Sequence, residues 1–131
     1  MTRGQALTAV VLTHLVISVL HGRAHAGAHV PLPFPGTLFV YLVILAAPLA
    51  GLGVWLWRPR AGGWIVAASM GGALVFGLVN HFIMDGSDHV SHVAAEWRPL
   101  FGVTAALLLV AEAAGAVIGV WAASCRVSSS E

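Results

Sequence analysis

Lysine is absent from this 131-residue chain, cysteine and tyrosine each occur once, and only 8% of residues are charged. A soluble domain carries about a quarter charged residues, so this composition excludes an ordinary water-facing globule. The single cysteine, Cys125, rules out an internal disulfide and leaves a thiolate metal site without a second sulfur. With no lysine and a net charge of +1, the chain has no basic footprint for nucleic acid. Apolar side chains are what it has in plenty: 59% of residues are hydrophobic, and the mean hydropathy is +0.91.

The apolar residues fall into four runs, about 5–22, 36–57, 63–84 and 100–123, each long enough to cross a hydrocarbon core of about 30 Å as a helix. Backbone groups in lipid must bond internally, and the Ala-, Leu-, Val- and Gly-rich runs favour helices over barrel strands. The expected fold is therefore all-α: one domain, an integral membrane four-helix bundle of up-down topology. Pro31, Pro33, Pro35 and Gly36 close the first loop, Arg58-Pro59-Arg60 makes a tight second turn, and Pro99 precedes the fourth run. Pro48, mid-run, predicts a kink. Arg3, Arg58, Arg60 and Arg126 fall on one side and Arg23 and Arg98 on the other, which places both termini in the cytoplasm of an inner-membrane-type bilayer. Trp55, Trp57, Trp64 and Trp121 would belt that interface, with Trp97, Phe34 and Phe101 near the outer one. Arg3, the first run and Ala24-His25-Ala26 also read as a signal peptide with a small-residue cleavage site. His14 within the run, and the matching histidines on the third, favour a retained helix.

All seven histidines lie in two short stretches. At about 100° per residue, His14, His21 and His25 share an arc of roughly 40°. His81, Asp85, Asp88 and His92 follow the i, i+4, i+7, i+11 pattern, which predicts a second helical stripe. In an up-down bundle the first and third runs end on one side, so the two stripes converge near the extracytoplasmic face. Imidazoles and carboxylates one turn apart reach a common cation. Nitrogen-rich sites with carboxylates suit transition metals, here iron, copper or zinc, with nickel also compatible. The candidate ligands are His14, His21, His25, His81, Asp85, His89 and His92, with His21, His25, His81 and Asp85 as a minimal set. Any single membrane histidine is more often a helix–helix hydrogen-bonding group; the clustering is what points to a guest. Glu112, mid-way along the fourth run, must face the bundle and find a partner, and His14 is the expected one. Glu112 and Asp88 are the candidate proton-handling catalytic groups.

His21-x3-His25 and His89-x2-His92 resemble the histidine boxes of membrane desaturases and hydroxylases, which hold a di-iron centre. Asp85-Gly-Ser-Asp88-His89 is similar to the His/Asp motif of nickel and cobalt permeases, and Asp85-x3-His89 resembles an element of the copper site in a membrane methane monooxygenase subunit. Each resemblance covers only a short stretch.

Three functions remain open. One is a metal-dependent oxidoreductase or hydrolase acting on a lipid-soluble substrate. Another is electron transfer through haem b ligated by His21 and His81. The last is a metal-ion or proton transport subunit using His25, His21, His14 and Glu112 as a ladder, which four spans would support only as a homo-oligomer or with a membrane partner subunit.

Overall fold

The computed structural model describes residues 1–124; Cys125 and Arg126 lie outside the described residues. The described residues form helices and no strand. Four helices are long and apolar enough to cross a membrane: α1 (Arg3–Gly27), α2 (Phe34–Trp55), α3 (Pro59–Ile83) and α4 (Arg98–Ala123). Their outward faces are apolar, with Val16, Val75, Val110 and Val117 all more than 60% exposed, as suits lipid solvation.

Local chemistry explains the ends. Thr2 caps α1: its hydroxyl accepts from the Gln5 amide, and the Gln5 side chain accepts from the Thr2 amide, a reciprocal capping box. Proline lies in the first turn of α3 and of α4, where its missing N–H leaves no helical bond unmade. Pro48 acts upstream of itself. Residues Val40–Ala46, just before it, widen into a π-helical stretch, which accommodates the hydrogen bond that proline cannot donate.

The helices pack through small residues. A Cβ on Gly119 would lie 2.6 Å from the Ala67 amide nitrogen and 2.8 Å from the Gly63 carbonyl, so α3 and α4 meet backbone to backbone. α4 also packs along α1. Arg3 donates to the Trp121 carbonyl, His14 meets Glu112 and His21 meets Thr104, so residue numbers rise along one helix as they fall along the other. The 47–55 half of α2 packs on α3, while its 34–46 half stands away from α1. That separation leaves a space in one half of the bundle. The other half is closed by a core of Leu7, Val11, Val66, Met70 and Ala122.

The third helix ends earlier than the histidine–aspartate periodicity implied. Residues 79–83 form a second π-helical stretch, Met84 is extended, and residues 84–97 form a series of turns. Asp85, Gly86, Ser87 and Asp88 favour turns over helix, and the Val90 amide bonds the His81 carbonyl at 3.0 Å, folding the segment back over the helix end. Asp85, Asp88 and His92 are therefore not a helical stripe. Phe101, expected near the outer interface, is fully buried among the helices.

Candidate metal centre

His21 and His25, one turn apart on α1, point the same way. His81 comes from the π-helical end of α3. One ring nitrogen of each lies within 4.8 Å of the others, which could hold a metal ion. α1 and α3 pack mainly against α4, and these rings meet over the α4 side chain Phe101. Its centroid is 4.7 Å from that of His21, 4.9 Å from His25 and 5.2 Å from His81. Ala24, Val93 and Phe101, all essentially inaccessible, form a dry apolar wall around them.

The hydrogen bonds assign the protons on two of the rings. His21 Nδ1 lies 2.9 Å from Thr104 Oγ1, whose own proton is directed to the Leu100 carbonyl at 2.7 Å. The hydroxyl therefore accepts, and His21 carries its proton on Nδ1. His81 Nδ1 lies 3.1 Å from the Asp88 carbonyl oxygen, which can only accept, so this ring too is protonated on Nδ1. Both Nε2 atoms are left with bare lone pairs, and they face each other at 3.2 Å. Two lone pairs at that distance repel unless a cation lies between them. Metal–nitrogen bonds of 2.0–2.1 Å at a tetrahedral angle would separate two nitrogens by about 3.3 Å, so the spacing fits a shared ion.

Asp88 reinforces the pattern. Its Oδ1 is 3.3 Å from His25 Nε2 and 3.3 Å from His81 Nδ1, yet neither carboxylate oxygen has an aligned hydrogen bond. His25 Nδ1 is likewise buried without a partner. Buried carboxylates without aligned hydrogen bonds are costly; here one sits beside two of the three imidazoles. Because the chain turns back after Met84, Asp88 faces the cluster. Asp85 is instead 87% exposed at its side chain and pairs with His92 at 3.1 Å. His89 bonds Ser91 at 2.6 Å in the same exposed loop. Among the described residues, His14, Asp85, His89 and His92 do not join the triad.

The expected His14–Glu112 contact is present deeper in the bundle, Nε2 to Oε1 at 3.4 Å, with Ser18 Oγ 3.5 Å from the same nitrogen. Both members are buried, and Glu112 Oε2 has no partner. Glu112 is one of the residues lining a cavity of about 650 Å³ that fills the space between α1 and the 34–46 half of α2, with walls that are mostly apolar. His21, His25, His81 and Asp88 line the cavity at one end; Ser18 and Glu112 supply polar groups farther in. His29, in the left-handed region at φ 53°, and exposed Tyr41 also border it.

The residue pattern assigned two contributors no part in the site. Thr104 sets the His21 tautomer, and Phe101 supports all three rings. A threonine within an apolar helix, just over two turns before Glu112, was the available signal. No protein-family model, curated protein or solved structure matches the chain.

Proposed function

We propose that this chain is a small integral membrane metalloprotein whose His21, His25 and His81 hold one transition-metal ion. The observation that carries this reading is the pair of Nε2 lone pairs facing each other at 3.2 Å, each fixed by an acceptor on its Nδ1. Thr104 and the Asp88 carbonyl fix the tautomers, and the Asp88 carboxylate offsets the ion's charge. Three nitrogen ligands beside a cavity leave one coordination position open, the arrangement of catalytic rather than structural sites. Zinc, iron or copper suits this donor set and would supply Lewis-acid or redox chemistry. Asp88 and Glu112 then hold or pass protons on the cavity side, and the apolar walls select a lipid-soluble substrate.

The chain would sit in an inner-membrane-type bilayer as an up-down bundle, with both termini cytoplasmic and the histidines toward the extracytoplasmic side. The arginine distribution supports this orientation. Haem b fits less well, because bis-imidazole ligation places two nitrogens about 4 Å apart across a macrocycle. Transport fits less well too, since among the described residues no buried ionisable group continues past His14 and Glu112 into the Leu7–Val11–Val66–Met70 core, where Ser69 bonds its own helix.

Elemental analysis of detergent-purified protein tests the proposal. About one ion per chain is expected, with loss in each of His21→Ala, His25→Ala and His81→Ala while the helical circular-dichroism signal persists. Metal content unchanged by all three substitutions would discard these ligands.

A further inference from the structure

The cavity beside the imidazoles gives a polar visitor little to hold. Both carboxylate oxygens of Asp88 and Oε2 of Glu112 are withdrawn from its surface, and Glu112 Oε1 is engaged with His14. The Ser18 hydroxyl lies against His14, and that of Thr37 donates to backbone carbonyls. Apart from exposed His29 and Tyr41, what remains on the walls is apolar, with Val40, Ile44 and Leu108 among the lining residues. At about 650 Å³ the space has the size of a small-molecule cleft. The binding point it offers is therefore the open position on an ion held by His21, His25 and His81, all of which line it.

Charge decides what suits that position. A divalent ion, three neutral imidazoles and the neighbouring Asp88 carboxylate together carry one net positive charge, and Glu112 is already matched by His14. An unbalanced charge against apolar walls is costly, so a monoanion is favoured over a neutral ligand. We infer that the cavity binds a fatty acid, its carboxylate on the ion and its chain along the apolar walls. The chain has a way in. Gly22 lines the cavity between Ser18 and Ala26 on α1, and a Cβ there would meet nothing within 4 Å. Val19 and Tyr41, 59% and 63% exposed, border the same space. The inference rests on the metal reading for the ion and adds the ligand that the ion takes.

Cobalt(II), whose visible absorption reports its ligands, is the probe. Full-length protein in phosphatidylcholine nanodiscs is loaded with it and titrated with submicellar dodecanoate. A saturable change of the absorption band is expected with dodecanoate, and none with methyl dodecanoate or dodecane. Acetate, which has the carboxylate without the chain, should need at least about a tenfold higher concentration. Gly22→Leu extends a side chain from the open face of α1 and replaces a poor helix former. It should weaken dodecanoate binding at least about fivefold, with cobalt stoichiometry, helicity and the acetate response kept. A band that dodecanoate leaves unchanged, that acetate shifts at the same concentration, or that responds alike in Gly22→Leu and wild type would overturn the inference. Bound cobalt, and with it the metal reading, would still stand. Protein that binds no cobalt would sink the metal reading, and the inference with it.

Discussion

A single hydroxyl, that of Thr104, determines which nitrogen of His21 faces the cluster. Thr104→Val removes the acceptor with little change of shape, and the ring is then free to protonate on either nitrogen. Metal affinity, read by competition with a chromophoric chelator, is expected to fall about 10- to 100-fold, as is usual when a ligand's supporting contact is lost. The His14–Glu112 pair behaves differently because both partners are almost fully inaccessible. Glu112→Leu alone leaves a buried imidazole nitrogen without its partner and should cost about 1–3 kcal/mol. Adding His14→Leu should recover most of that, as apolar replacement of a whole buried pair is often neutral. A double-mutant cycle of unfolding free energies in detergent checks both expectations; additive losses would count against a direct pairing.

Among the elements, α3 and α4 have little room to adjust. Gly119→Val would drive a side chain into the Ala67 and Gly63 backbones, which cannot rotate away. The helices must separate, at a cost of about 1–3 kcal/mol, and a lowered thermal midpoint would register it. The helices themselves were legible, because long apolar runs bounded by Pro, Gly and Arg leave few alternatives in lipid. Their junctions were not. Extending a 3.6-residue period past Met84 joined Asp85 and Asp88 to His81 as equivalents, although the chain leaves the helix there. Only the return of Val90 to the His81 carbonyl decides that Asp88 meets the imidazoles and Asp85 meets solvent. Pro48 was legible as a disturbance, but its effect falls upstream as a wider turn. On α1 and α3, by contrast, His21, His25 and His81 lay on the expected faces and come together.

For the whole molecule, an ion tying α1 to α3 contributes to stability as any ligand of the folded state does. At a free concentration about 100 times Kd it adds about 2.7 kcal/mol, so chelation should lower the unfolding midpoint and re-addition restore it. The shift should vanish in His21→Ala and His81→Ala. Acidification should also release the ion, since a proton competes with it for the same imidazole lone pair. Retained metal at low pH, measured after desalting, would contradict ligation by three histidines. The cavity has one further consequence. In the proposed bilayer placement it is closed at the Leu7–Met70 end and borders exposed Val19 and Tyr41, so a hydrophobic visitor would meet it by diffusing within a single leaflet. Occupancy then follows the mole fraction of visitor among the lipids rather than its molarity in the tube. Diluting it with extra bilayer or detergent, at fixed total amount, should weaken apparent saturation in proportion.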